Sequence, residues 1–237
     1  MEGLVFLIGV IGNVISVLMF LSPVSTFVRI VRKKSTEEFE SFPYICALLN
    51  SSLWTYYGVT KPDSYLVATV NGFGVVVEII YVAFFLTFAP PLKRGRTALM
   101  FVVVNIGVFA AAVCITYFAM GGETRIDAIG YMASALNIIM YGSPLAAMKR
   151  VVTTKSVEYM PFLLSFFFFL NGGFWTFYAL LAQDLFLGVP NAIGFLLGTL
   201  QLVLYAIYTI YPKKSNVVKE GSQTEHLLPS HGDGAQC

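Results

Sequence analysis

The stretch NSSLWTYYG, at residues 50–58, occurs a second time in altered form as NGGFWTFYA at residues 171–179. Asn50 and Trp54 of the first copy correspond to Asn171 and Trp175 of the second, and each pair is separated by 121 positions. A long internal repeat predicts an architecture built from two similar units. The two polar and aromatic patterns can therefore act on one shared partner if the units face each other.

The composition places the chain in a membrane. Of its 237 residues, 57% are hydrophobic and only 12% are charged, whereas a soluble domain carries roughly 25% charged residues. A membrane-spanning helix needs about 20 apolar residues, and the runs here lack the alternation of a membrane β-barrel strand. We therefore predict an all-α membrane protein with seven transmembrane helices, at residues 4–22, 44–59, 65–88, 98–120, 128–148, 160–182 and 185–211.

The basic residues predict the orientation of these spans. Of the 15 basic residues, only Lys61 and Arg125 lie outside the segments that follow spans 1, 3, 5 and 7. Because loops rich in lysine and arginine stay in the cytosol, the C-terminus is predicted to be cytosolic and the N-terminus to be outside or lumenal. Topology alone explains these charges, so no nucleic-acid partner is expected.

The repeat also predicts how the spans are grouped. A shift of 121 carries spans 1 and 2 onto spans 5 and 6, and a shift of 120 aligns Asn71 with Asn191 in spans 3 and 7. We predict a 3+1+3 arrangement, in which both three-helix repeats point the same way and span 4 is a linker helix. Parallel repeats of this kind place a substrate site at their interface. The predicted domains are residues 1–90, 91–125 and 126–211, followed by a disordered cytosolic tail at 212–237.

The spacing of the repeated residues indicates a chemistry for that interface. Asn50, Trp54 and Tyr57 are spaced i, i+4, i+7, which places them on one stripe of a helix, and Asn171, Trp175 and Tyr178 repeat the pattern. Asparagine amides both donate and accept hydrogen bonds, and an indole offers a flat apolar surface. A neutral sugar, with its hydroxyls and its C–H face, matches both.

Several longer motifs resemble the SWEET family of sugar transporters. They are TVNGFG at 69–74, VPNAIGF at 189–195 and SFFFFLNGGFWTFYALL at 165–181, and the resemblance covers about residues 5–211. Plant vacuolar hexose or fructose carriers look most similar, judged from residues 35–58 and from ALNIIMYGSPL at 135–145. The resemblance implies a facilitative, bidirectional sugar uniporter, and not an enzyme, in the vacuolar membrane, with the plasma membrane as the alternative.

The resemblance also implies roles for individual residues. The substrate-binding set is Asn71, Asn191, Trp54, Trp175, Asn50, Asn171, Met19 and Met140. Four prolines form hinges of an inner gate, namely Pro23, Pro43, Pro144 and Pro161. Residues of an outer gate are Tyr57, Tyr178, Asp184 and Pro190. Because the methionines and asparagines at the size-determining positions are large, the expected substrate is a monosaccharide such as fructose or glucose.

Other readings stay open at this point. The asparagines can serve as hydrogen-bonded links between helices, and the tryptophans can be packing residues. Glu78, a carboxylate within a span, raises the alternative of a proton-coupled carrier, and a seven-helix sugar sensor or receptor is the other alternative. Lys61 and Asp63 are expected to be solvated loop charges, and pairing with Asp184 at the same mouth is the alternative. No catalytic, metal or cofactor site is predicted, and self-association into a homo-oligomer is left undecided.

Overall fold

The computed structural model describes residues 2–210, and the regular structure throughout that range is helical. The predicted all-α fold class is therefore confirmed. The predicted disordered tail at 212–237 lies outside the described residues.

The first triplet of rods occupies the N-terminal part of the chain. Its four helices are α1 Glu2–Leu21, α2 Val24–Lys33, α3 Phe42–Thr60 and α4 Tyr65–Phe88, and α1 and α2 together form one rod. A long rod follows it, made of α5 Pro91–Met100, a π-helical segment Phe101–Val108 and α6 Phe109–Ala119. The second triplet consists of α7 Gly122–Met140, α8 Gly142–Thr154, α9 Phe162–Leu181 and α10 Leu185–Ile210. Since α1 with α2 and α7 with α8 each form one bent rod, the described residues form seven rods in the predicted 3+1+3 order.

Five of the seven rods are long and apolar enough to cross a membrane by length and composition. The two others are α3, which carries the polar NSSLWTYYG stretch, and the α7–α8 rod, which begins with charged residues near Glu123. The chain is a helical integral membrane protein. The division into domains at residues 90, 125 and 211 stays a prediction.

The two triplets have the same internal packing, and the contacts between them are equivalent. In the first triplet α4 packs against α1 and α3, and in the second α10 packs against α7 and α9. Between the triplets, α1 packs against α9 and α3 packs against α7. The repeat shift carries α1 onto α7 and α3 onto α9, so the α3–α7 contact is the counterpart of the α1–α9 contact. A pseudo-twofold axis between parallel repeats relates two contacts in this way.

Glycines allow α9 and α10 to approach each other closely. A Cβ atom at Gly198 would lie 2.7 Å from the Cα atom of Phe169, and one at Gly172 would lie 2.6 Å from the backbone nitrogen of Phe195. Only a residue without a side chain fits at such a distance, as is common where membrane helices touch. The second triplet is thus held together at its centre by direct backbone contact.

The four predicted hinge prolines lie at one end of the bundle, called here the proline end. Pro23 lies between α1 and α2, and Pro144 lies in the first turn of α8, just after the break at Tyr141. Pro43 lies in the first turn of α3, and Pro161 immediately precedes α9. Proline lacks a backbone N–H and therefore favours helix starts and bends. Movement at these bends stays a prediction.

Candidate functional site

A cavity of about 340 Å³ lies between the two triplets. Its volume is at the lower end of the range for small-molecule pockets. All eight residues predicted to bind substrate line it: Met19, Asn50, Trp54, Asn71, Met140, Asn171, Trp175 and Asn191. The fold therefore brings the predicted set together from α1, α3 and α4 on one side and α7, α9 and α10 on the other. Their role in binding stays a prediction.

Asn71 and Asn191 are held in the same way on α4 and α10. The Nδ2 atom of Asn71 donates to the backbone oxygen of Val67 at 2.9 Å, and that of Asn191 donates to the backbone oxygen of Leu187 at 2.8 Å. Each amide thus bonds to the preceding turn of its own helix, and within residues 2–210 neither bonds to another helix. The reading of these asparagines as interhelical links is wrong. Their Oδ1 atoms keep the capacity to accept from a ligand.

Asn50 and Asn171 do link helices, and they do so across the two triplets. Asn50 Nδ2 donates to Asn137 Oδ1 at 3.1 Å, and Ser16 Oγ donates to Asn171 Oδ1 at 2.6 Å. Ser16 and Asn137 are separated by the repeat shift of 121, so the two bonds are equivalent. The sequence analysis did not assign these two partners to the site, although the shift that aligns the repeats also pairs them.

The two tryptophans form walls of the cavity. Trp54 and Trp175 are only 4% and 5% exposed, and each packs edge-on against the tyrosine of its own stripe, with ring centroids 5.4 and 5.3 Å apart. Trp175 Nε1 donates to Ser16 Oγ at 2.9 Å. Ser16 therefore orients Trp175 and Asn171 together, and the indole rings stand as rigid apolar surfaces in the cavity wall.

The end of the bundle opposite the prolines, called here the tyrosine end, is closed. The hydroxyl of Tyr57 donates to both carboxylate oxygens of Asp184, at 3.0 and 2.9 Å. Tyr57, Tyr178 and Asp184 are 0%, 3% and 4% exposed. Because Tyr57 belongs to α3 and Asp184 immediately precedes α10, these bonds join the two triplets across the mouth of the cavity.

The expectation for Lys61 is wrong, while Asp63 is exposed as expected. Lys61 Nζ forms an ion pair with Asp184 Oδ2 at 2.7 Å and also donates to the Tyr57 hydroxyl at 3.1 Å. A carboxylate as deeply buried as Asp184 is costly unless a cation accompanies it. Lys61, which immediately follows α3, supplies that cation, so the alternative of pairing with Asp184 is confirmed for Lys61.

Pro190 lies within α10, one residue before Asn191, and is fully buried. Because proline has no N–H, the backbone oxygen of Phe186 one turn earlier is free of its helical bond, and Ser134 Oγ donates to it at 2.6 Å. The backbone oxygen of Pro190 accepts from the Tyr141 hydroxyl, also at 2.6 Å. Pro190 thus joins α10 to α7 instead of contacting the Tyr57–Asp184 pair.

The cavity extends from the tryptophans toward the proline end. Pro23 and Pro144 line it, whereas Pro43 and Pro161 do not. Two of the four predicted hinges therefore border the space directly. With the tyrosine end closed by hydrogen bonds, the conformation is one in which the cavity faces the proline end.

Glu78 also lines the cavity, and its side chain is almost fully buried. Its Oε2 atom has no hydrogen-bond partner, and within residues 2–210 its carboxylate forms no ion pair. The sequence analysis noted its position within a span, but its position in the cavity wall depends on the rotation of α4, which composition does not reveal.

Comparison with known proteins identifies the class to which this fold and cavity belong. A family model described as "Sugar efflux transporter for intercellular exchange" matches residues 6–93 and 127–213. The chain belongs to this family, which is the SWEET family of transporters and not a family of enzymes.

Individual relatives agree with that assignment. The chain is 60% identical to the bidirectional sugar transporter SWEET17 of Arabidopsis thaliana over 204 residues, covering 86% of this chain and 85% of the relative. It is 56% identical to SWEET16 of the same plant, covering 88% and 91%. Among solved structures, a eukaryotic SWEET transporter superposes with a TM-score of 0.83 at 39% identity, covering 87% of this chain and 97% of the other.

Proposed function

We propose that the protein is a facilitative, bidirectional uniporter for hexose-sized neutral sugars. The observation that carries the proposal is a cavity between two equivalent triplets, walled by two tryptophans and five asparagines and closed at one end. Amides supply partners for sugar hydroxyls and indoles supply surfaces for C–H faces. Alternating access then requires that the tyrosine end opens as the proline end closes.

The cavity suits a monosaccharide better than a disaccharide. The free volume is about 340 Å³, and the side chains of Met19 and Met140, from the two bent rods, bound this space. The amides of Asn50 and Asn171 narrow it further because each is tied to the opposite triplet. Fructose and glucose are the proposed substrates.

The vacuolar membrane is the proposed location, with the plasma membrane as the alternative. Support comes from the resemblance to vacuolar carriers and from the similarity to the two Arabidopsis relatives. In either membrane the basic residues favour a cytosolic proline end and C-terminus and an N-terminus that is outside or lumenal. A fluorescent fusion with a vacuolar membrane marker, combined with protease protection of tags at each terminus, tests both statements.

Proton coupling is the second candidate, and the observation that favours it is Glu78 in the cavity wall. A carboxylate within a membrane bundle is a candidate proton carrier. However, no histidine, lysine or arginine lines the cavity in the described part of the chain, so a relay partner is missing. A sensor that binds sugar without moving it has no use for closable mouths at both ends.

Counterflow in liposomes tests the proposed function. Purified protein is reconstituted into liposomes loaded with unlabelled glucose or fructose, and labelled sugar is added outside at a trace concentration. A uniporter gives a transient accumulation of label that decays as the sugars equilibrate. A receptor gives binding without accumulation, and that result would contradict the proposal.

A further inference from the structure

Glu78 introduces an asymmetry into a cavity that is otherwise built from equivalent halves. At the shift of 120 that pairs Asn71 with Asn191, the counterpart of Glu78 is Gly198, whose Cα lies against the backbone of α9. The carboxylate therefore cannot be explained by the repeat, and the second triplet has no matching charge. It stands seven residues beyond Asn71 on α4, about 10.5 Å further along the helix toward the proline end.

Within residues 2–210, no lysine, arginine or histidine lines the cavity around Glu78. The side chain is 5% exposed, and its Oε2 atom is buried without a hydrogen-bond partner. The titratable groups that interact with it are the phenols of Tyr44 on α3 and Tyr81 on α4. The Tyr81 hydroxyl is committed to the backbone oxygen of Phe20 at 2.9 Å.

The other walls supply no positive charge either. The bend between α1 and α2 contributes only Phe20 and Pro23 near the proline end, and α9 contributes Phe168. On the opposite triplet the hydroxyl of Tyr141 donates to the Pro190 backbone oxygen. Within residues 2–210, the cavity thus holds one carboxyl group and no basic side chain to balance it.

We infer that Glu78 forms a cation subsite in the sugar cavity, and that the protein accepts amino sugars of hexose size alongside neutral hexoses and binds them more tightly. The inference rests on the proposed function. To ionise a carboxyl group that is buried without a cation is costly, and the ammonium group of a 2-amino-2-deoxyhexose offsets that cost while its remaining hydroxyls keep the shape of glucose. The tyrosine and phenylalanine rings around the subsite also favour a cation.

The test compares glucosamine with glucose, because the two differ only in the amino group at carbon 2. Each unlabelled sugar is used to inhibit the counterflow of labelled glucose in liposomes, at a pH at which the amine is protonated and with the membrane potential clamped at zero. A charge-assisted hydrogen bond predicts that glucosamine inhibits at a concentration about tenfold lower than glucose. In Glu78→Gln the ratio of the two inhibitory concentrations should fall to about one.

A matched control removes a carboxylate elsewhere. Glu158 is exposed in the segment between α8 and α9, outside the cavity, and Glu158→Gln should keep the ratio of the parent. Labelled glucosamine should also show counterflow of its own, which distinguishes a substrate from a mere inhibitor.

Each other result overturns a specific statement. Equal inhibition by the two sugars in a parent that exchanges glucose overturns the cation subsite and leaves the proposed function intact. A ratio unchanged in Glu78→Gln overturns the assignment to Glu78. Absence of glucose counterflow in the parent overturns the proposed function and this inference with it. If Glu78→Gln does not fold, the two sugars are compared by the rise in melting temperature that each gives the purified parent. Half-maximal rises at equal concentrations of glucosamine and glucose would overturn the subsite.

Discussion

At the scale of residues, the four asparagines predicted to bind substrate divide into two kinds. Asn71 and Asn191 bond only to their own helices, so their carbonyl oxygens stay available in the cavity. Asn50 and Asn171 are held by Asn137 and Ser16 of the opposite triplet. The first pair is therefore suited to bind a ligand, and the second pair is suited to set the size of the space and the distance between the triplets.

The alanine variants Asn71→Ala and Asn191→Ala should each lower hexose counterflow by about five- to 150-fold. The reason is that each removes an acceptor for a sugar hydroxyl, a loss of about 1–3 kcal/mol. Counterflow in liposomes with matched amounts of folded protein measures the effect. Asn105→Ala is the control, since Asn105 lies in the π-helical segment and does not line the cavity. Normal flux in both cavity variants would contradict the site.

The double variant Asn50→Ser with Asn171→Ser should admit some sucrose. Shorter side chains enlarge the cavity at both links between the triplets, while Asn71 and Asn191 are kept. Sucrose and glucose counterflow are compared in the same preparation. Glucose exchange with complete exclusion of sucrose would mean that these two positions do not limit substrate size.

The residues of the site differ in how far the sequence predicts them. All eight residues of the predicted binding set could be named because the repeat and the family motifs mark them. Ser16 and Asn137 could not, because their partners lie on the other triplet and the contact depends on how the triplets face each other. Glu78 was visible as a charge in a span, but not as a cavity residue, because its direction depends on the rotation of α4.

At the scale of helices, close packing and bending occur in different places. The α9–α10 contact is tight through Gly172 and Gly198, whereas the bends lie at Pro23 and Pro144 near the proline end. The seven spans could be predicted from apolar runs, yet a bend at Tyr141 divides predicted span 5 between α7 and α8, and α2 continues the first rod beyond the end of predicted span 1. The apolar run of span 5 continues across its bend, so that division becomes visible only in the backbone.

Replacement of Gly198 by alanine should lower the melting temperature of the purified protein. A Cβ atom there would meet the Phe169 backbone at 2.7 Å, and forcing such helices apart costs about 1–3 kcal/mol. Gly95→Ala is the matched control, because no atom lies within 4 Å of a Cβ at that helical position. An unchanged melting temperature for Gly198→Ala would show that α9 and α10 are not held at this distance.

Removal of the Lys61 cation should open the tyrosine end. In Lys61→Met the buried Asp184 keeps its bonds to Tyr57 but loses its ion pair, which destabilises the closed mouth. A cysteine introduced at Val70 in the cavity, in a variant without Cys46, Cys114 and Cys237, reports this by faster reaction with an impermeant thiol reagent from the tyrosine side. Lys93→Met, at the other end of the bundle, is the control. Equal labelling rates in parent and Lys61→Met would contradict the gate.

At the scale of the whole molecule, two parallel triplets share one cavity and exchange equivalent contacts. The α1–α9 and α3–α7 contacts allow one triplet to rock against the other, and the tyrosine end closes through groups from both triplets. The 3+1+3 order followed from the repeat alone, whereas the conformation, closed at the tyrosine end, depends on contacts between triplets that the repeat does not contain.

The central claim is that sugar moves only down its own gradient. The most direct test is the final distribution of labelled glucose in liposomes across which a proton gradient is imposed, in either direction, and held. The account predicts equal concentrations of glucose inside and outside, reached at the same level with the gradient and after an ionophore has removed it. Accumulation of glucose above its outside concentration, abolished by the ionophore, would contradict uniport.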